Sequence, residues 1–514
     1  MSPAPTRRLW LATGLLASAG VVTAATAMAQ VAVPSVTSDN ITQVAGIPET
    51  LAISMEFART GPYAYVSSLD TISVLDLTDP KDPQLRGTLV NAMFENESMT
   101  YGERVVGGEL QRFVIAAIDI VQASPGDLEH VNLGGQEIVL VDVTDPDAPV
   151  IRSRGTATTS THTVQCVDQA DCRYAYSAGT GGKFSILDLT DLDAPKELKT
   201  VASVAAGPSG PNSPFSSGGA GHYWDFDGEL GWHTGSGGAE AFDVSDPTNP
   251  TPVTATNADA RTSPYNDFIF HNSMRPNAAA FRPGAPPSIA NGNVLLVTEE
   301  DYANEGDEIV CDRAGSFQTW RIPDLDAAGY NARNTDGVTP DVGTISPLDI
   351  TNAPAEFGGG ATTPVSGFCS AHWFDVHQDG YVALGHYGAG MRVLDVTDPR
   401  EIKQFGYATG VATQVWDAYW VPERDAAGVA IPGRKTNLVY TADAVRGIEV
   451  FEVALPAAAA PPAAPPAQQP PPAEEPPPAA APGGGSSLPT TGGMAPLLAL
   501  PLLLGAAWAV RRRA

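Results

Sequence analysis

A short pattern recurs along this chain and limits its fold more than any other feature. It reads Leu75-Asp76-Leu77-Thr78-Asp79-Pro80, Val141-Asp142-Val143-Thr144-Asp145-Pro146 and Leu187-Asp188-Leu189-Thr190-Asp191. It returns as Phe242-Asp243-Val244-Ser245-Asp246-Pro247 and Leu394-Asp395-Val396-Thr397-Asp398-Pro399. Two looser copies, Trp320-Arg321-Ile322-Pro323-Asp324 and Phe451-Glu452-Val453, bring the number to seven. Each copy is an apolar alternation stopped by a turn, with Asp-Pro as the stop in most copies, so it predicts a strand and then a tight turn. Strand-like runs flank most copies, for example Tyr63-Ala64-Tyr65-Val66-Ser67 before and Gln84-Leu85-Arg86-Gly87-Thr88-Leu89 after. The unit is a small antiparallel sheet that cannot cover both its faces alone. Seven such sheets packed radially predict an all-β, seven-bladed β-propeller over residues 30–455.

The copies resemble the LVIVD repeat of bacterial surface and secreted propellers, over roughly Ile41 to Val453. That resemblance implies the fold and leaves the activity open, because function lives in sites rather than in folds. The last unit stops at Val453 without an outer strand. The segment Asp39-Asn40-Ile41-Thr42-Gln43-Val44-Ala45-Gly46 reads as an outer strand with no unit before it. Together they predict one blade shared by both ends of the domain, which removes an open sheet edge.

Both termini read as processing signals. Residues 1–29 form a signal peptide: Arg7 and Arg8, an apolar run, and a cleavage site after Ala27-Met28-Ala29. Thr6-Arg7-Arg8-Leu9-Trp10-Leu11 is also similar to a twin-arginine leader, so export by the general or the twin-arginine route stays open. Residues 456–487 contain only Pro, Ala, Gly, Gln, Glu and Ser, which predicts a disordered, extended stalk. Residues 488–514 open on Leu488-Pro489-Thr490-Thr491-Gly492, then an apolar run expected to be helical, then Arg511-Arg512-Arg513. This order resembles the LPxTG sorting signal, which implies sortase and peptidoglycan as partners, cleavage between Thr491 and Gly492, and an extracellular, wall-anchored domain. The membrane is then touched only through the transient C-terminal segment. With 58 acidic against 29 basic residues the chain lacks the basic surface that nucleic acid requires.

Of eight histidines, four fall at one register, opening the innermost strand of the third to sixth units: His162, His222, His271 and His372. Innermost strands line the central channel, so these imidazoles can converge at its mouth. Four of them suit a transition metal, Fe, Mn, Cu or Zn. Carboxylates that would orient such ligands are Glu95, Glu97, Asp225, Asp375 and Asp417. The layout is similar to the carotenoid oxygenases, whose propeller holds iron on four histidines, and to the selenium-binding and methanethiol oxidase propellers. The alternative is that the imidazoles simply hydrogen-bond to backbone and water. His233 and His386 share a second register, as proton carriers, substrate contacts or hydrogen-bonded core residues. Cys166 with Cys172, and Cys311 with Cys369, are expected as disulfides in an exported chain, with metal ligation by Cys369 as the rival. Three functions stay open: a metalloprotein, oxidative or hydrolytic, a non-catalytic adhesion propeller that grips a carbohydrate, matrix or protein partner, and a structural surface-layer component. No G-x-S-x-G elbow or P-loop is present.

Overall fold

The repeat is a pair of turns hung on the end of a strand. In each of the five full copies the first Asp accepts the backbone N–H two residues on at 2.9 Å, as Asp76 does from Thr78 and Asp395 from Thr397. The second Asp repeats the bond at 3.0 Å, as Asp79 does from Lys81 and Asp398 from Arg400. Two successive Asx turns reverse the chain, which is why the motif spaces Asp three residues apart.

The computed structural model describes residues 35–68, 70–90, 97–118, 137–156, 161–179, 182–207, 219–301, 315–326, 344–352, 369–410 and 412–456. The expected leader, stalk and sorting signal, with Leu488, Pro489, Thr491 and Gly492, lie outside them, as do Glu95 and Cys311.

The described strands form seven antiparallel sheets. The repeat strands Thr71–Asp76, Glu137–Asp142, Lys183–Asp188, Gly238–Asp243, Ser316–Arg321, Met391–Asp395 and Gly447–Val453 are each third from the channel. In all seven sheets the register shifts where this third strand meets the outer one, a bulge that adds twist. The seven innermost strands are Ser54–Phe57, Thr100–Val106, Thr163–Cys166, Gly221–Phe226, Ile269–Met274, Phe374–Val376 and Val415–Arg424. Apolar clusters sit between every pair of neighbouring blades, including the last and the first, where Tyr440 and Val450 pack with Val66 and Leu75. The core is therefore a closed ring of seven interfaces, an all-β seven-bladed propeller.

Closure follows the sequence expectation. Ile41–Ile47 pairs antiparallel with Gly447–Val453, with Ile41 opposite Val453 and Ile47 opposite Ile448, and completes the seventh blade. The chain goes one step further: Val36–Thr37 adds a fifth strand to the sixth blade, with Val36 opposite Thr409. Cys166 and Cys172 are joined by a disulfide across the bend after the third inner strand. Cys369 is disulfide-bonded as well.

Candidate metal centre

Five polar side chains from five consecutive blades meet where the inner strands begin. Glu97 precedes the strand Thr100–Val106, and His162 and His372 precede Thr163–Cys166 and Phe374–Val376. His222 and His271 lie inside Gly221–Phe226 and Ile269–Met274, each at a register shift in its pairing with the next strand. A bulge redirects one side chain without ending the strand, so both imidazoles turn into the channel.

Neighbouring blades lock these backbones in place. Thr163 Oγ1 donates to the carbonyl of His222, and Thr234 Oγ1 to that of His271 at 3.2 Å. Gly221 and Gly385 supply the room. A Cβ on Gly221 would lie 2.3 Å from the ring of His233, and one on Gly385 would lie 2.3 Å from the carbonyl of Trp416. That Trp416 carbonyl faces Nδ1 of His372 at 3.0 Å.

All four imidazoles present Nε2 to the Glu97 carboxylate. Oε1 of Glu97 is 2.9 Å from His271 and 2.6 Å from His372, and Oε2 is 3.4 Å from His222 and in contact with His162. Nε2 of His162 and Nε2 of His222 stand 3.1 Å apart. Ring centroids of His222, His271 and His372 follow one another at 4.0 Å. His271 and His372 have no exposure, and Glu97 only 6 %. Glu97 is thus in the midst of the imidazoles, where the sequence reading had it behind them.

A sixth group completes the cluster. Glu300 ends the strand Val294–Glu300, and its Oε1 lies 3.9 Å from Nε2 of His372 and accepts the Tyr387 hydroxyl. Glu97, His222, His271 and Glu300 each place a ligand atom within 4.8 Å of the others. Tyr387 packs against His372 with ring centroids 4.4 Å apart and planes tilted by 38°, and it holds a positive φ of 43°, uncommon for a bulky residue.

Burial sets the charges. It pushes His222 and His271 below the usual imidazole range, so both are neutral near pH 7. Burial also pushes Glu300 well above the carboxylate range, and the charge of Glu97 adds to this. Burial acts on Glu97 in the same direction, but His162 and His222 outweigh it and hold Glu97 well below the usual range, ionised. A buried anion therefore faces two imidazoles, His222 and His271, that burial keeps neutral.

A neutral imidazole has one N–H to donate. If Nδ1 of His372 gives it to Trp416, Nε2 points a lone pair at an oxygen 2.6 Å away. His162 and His222 meet nitrogen to nitrogen, while Nδ1 of His222 and Nδ1 of His271 have no hydrogen-bond partner. Four Nε2 atoms that converge on one carboxylate fit a cation, and imidazole with carboxylate is a donor set for Fe, Mn, Zn or Cu.

The remaining candidates lie elsewhere. Asp225 and Asp375 line a cavity farther down the channel, and Asp417 accepts the backbone N–H of Met55 at 2.8 Å. His233 shares a hydrogen bond with Ser203 at 2.7 Å and stacks on Trp224, and burial lowers it to about 3. His386 faces the Cys369 sulfur at 3.4 Å, and burial lowers it to about 4. Both are packed, hydrogen-bonded histidines behind the ring of four. Sequence reasoning missed Glu300 and Tyr387. The available signal was Glu299-Glu300-Asp301, three acids closing an apolar strand that opens at Val294.

No family model and no curated protein matches the chain. Solved structures similar in outline include a Bacteroides uniformis protein described as a 6-phosphogluconolactonase, at 10% identity and TM-score 0.42. It matches over 72% of this chain and 84% of its own. Another is the periplasmic gluconolactonase of Pseudomonas aeruginosa, at 12% identity and TM-score 0.44, over 75% and 89%.

Proposed function

We propose that the propeller is a metalloprotein domain with one ion held by His162, His222, His271, His372 and Glu97 at the entry of its channel. The observation that carries this reading is the meeting of four Nε2 atoms on one buried carboxylate. A divalent cation offsets the buried anion and takes up the lone pairs together. Structural zinc sites close at four ligands, and five donors including an oxygen favour iron or manganese. Such an ion supplies Lewis-acid or redox chemistry. The chain's own contribution is the fixed approach of the imidazoles, the exclusion of water, and a proton held at Glu300 beside the Tyr387 hydroxyl. That held proton favours an enzyme over a purely structural centre.

Elemental analysis of the full chain, purified without a polyhistidine tag, tests the site. One Fe or Mn per chain is expected, and none in a His271→Ala, His372→Ala variant. Wild-type protein that stays metal-free after exposure to Fe, Mn, Zn and Cu would overturn the reading, as would a double variant that keeps its metal.

The placement of the domain outside the cell and on the wall is part of the same proposal. It rests on the terminal motifs, and the Cys166–Cys172 disulfide fits an oxidising compartment. Mass spectrometry of wall digests tests it: a C-terminal peptide ending at Thr491 and joined to a peptidoglycan stem is expected. An intact C-terminus recovered from the cell would count against it.

A further inference from the structure

The channel has a second end, and its chemistry differs from the first. Beyond the imidazoles stands Trp373, with its ring 4.3 Å from that of His271 and 4.5 Å from that of Tyr223. On its other side lies a cavity of about 390 Å³ whose wall includes Glu56, Tyr223, Asp225, Trp373, Asp375 and Tyr419. The size is within the range of small-molecule sites, about 300–1,000 Å³.

This cavity is built rather than left over. The hairpin of the seventh blade is long, with strands Val415–Arg424 and Ala430–Asp443, and it reaches across to the first blade. There Gly61 donates to Gly428 at 3.1 Å, Ala430 to Arg59 at 2.8 Å, and the Arg424 guanidinium to Ala58 at 2.7 Å. The hairpin contributes Pro422, Ile431 and Lys435 to the cavity wall.

The charges of the wall are unbalanced. Its cations are already engaged: Lys435 with Asp375, Arg59 with Glu103, and Arg434 with Glu423. Asp225 receives the backbone N–H groups of Arg275 and Phe226, and among the described residues neither it nor Glu56 forms an ion pair. The Trp373 indole N–H is 1 % exposed as a residue and finds no acceptor. Two carboxyls whose one neighbouring lysine, Lys435, is already paired with Asp375, aromatic faces beside them and a spare donor are the parts of a site for an organic cation.

We propose that this far cavity binds a small organic ammonium ion that carries a hydroxyl group. The carboxyls of Glu56 and Asp225 meet the positive charge, Tyr223, Tyr419 and Trp373 give it aromatic faces, and the indole N–H donates to the ligand hydroxyl. The site is separate from the entry centre and does not depend on a metal there.

Burial pushes Glu56 up to about 8 and Asp225 up to about 7 in the empty cavity. The titratable and charged groups around Glu56 are Lys435, Asp375, Asp417, Tyr223 and Tyr419, and those around Asp225 are Asp227, Asp375 and Tyr223. Both carboxyls therefore shed protons when a cation enters, and binding tightens as pH rises from 6 to 9.

Calorimetric titration of the full chain with choline chloride, and with its uncharged isostere 3,3-dimethylbutan-1-ol, tests the assignment. Choline is expected to bind at least about tenfold tighter than the isostere, and tighter at pH 9 than at pH 6. The same affinity is expected with and without EDTA, which separates this site from the metal reading. A Glu56→Gln, Asp225→Asn variant, checked for folding by near-UV circular dichroism, is expected to lose the preference for choline. Equal binding of choline and the isostere by wild type, no binding of either, or an unchanged preference in the folded variant would each overturn the proposal.

Discussion

The two ends of the channel rest on the same inner strands, sometimes on residues three apart, yet burial leaves them in opposite electrostatic states. His222 belongs to the entry and Asp225 to the far cavity, and His372 and Asp375 divide in the same way. Withdrawal from water disfavours whichever form is charged, so it strips protons from bases and returns them to acids. At the entry this yields neutral imidazoles at His222 and His271 around an ionised Glu97. At the far end it lifts the carboxyls of Glu56 and Asp225 to about 8 and about 7. One physical cause thus prepares one end for a metal ion and the other for an organic cation, and Trp373 stands between them.

The comparison breaks most severely if the divider goes. Trp373→Ala removes a fully buried indole that packs on both sides, and a loss of about 3–5 kcal/mol is expected in denaturant unfolding. It should also make choline affinity respond to metal at the entry, which calorimetry with and without EDTA will show. Glu97→Gln is the next largest change. It leaves the shape and removes the anion, and a drop of about 100-fold in metal affinity, roughly 2.7 kcal/mol, is expected in competition titrations with a chelator.

The pH dependence of stability sharpens the contrast. His233 and His386 are neutral in the folded state down to about 3 and 4, while the unfolded chain protonates them near 6.5. The unfolded state therefore binds more protons between those values, and stability falls as pH drops through that window. For Glu56 the sign is reversed. The folded carboxyl keeps its proton to about 8 while the unfolded one ionises near 4.5, so stability falls as pH rises between them. Glu56→Gln should remove about 2 kcal/mol of that alkaline loss, a value reduced because the side chain is partly exposed. Urea melts from pH 4 to 9 check both limbs. The smallest effect concerns neither end: reduction of Cys166–Cys172 opens a short loop and should cost about 2 kcal/mol or less without changing metal content.

Much of the fold was legible because it is written locally and repeatedly. Asp76, Asp142, Asp188, Asp243 and Asp395 each bond to a backbone two residues on, so the turn needs no distant partner and is visible in a window of six residues. Closure was legible for a related reason: Ile41–Ile47 had the alternation of an outer strand and no unit of its own to serve. The register of His162, His222, His271 and His372 could be read by aligning the repeats, since each blade places its inner strand alike.

What the repeats could not supply is anything that depends on two blades at once. Glu97 looked like one acid among several near an inner strand, and Glu300 like the middle of an acidic run. Only the ring brings the first into the midst of the imidazoles and the second to 3.9 Å from His372. Asp225 and Asp375 looked equally fit to orient those imidazoles, but three residues along a strand carry them past Trp373 into another cavity. The sequence by itself determined the blades, their number and the histidine register, because hydrophobic alternation and Asx turns act over a few residues. The tertiary structure alone decided which carboxylates share the histidines' space and which face the far cavity, because contact between blades depends on the closed packing of all seven and on no local pattern.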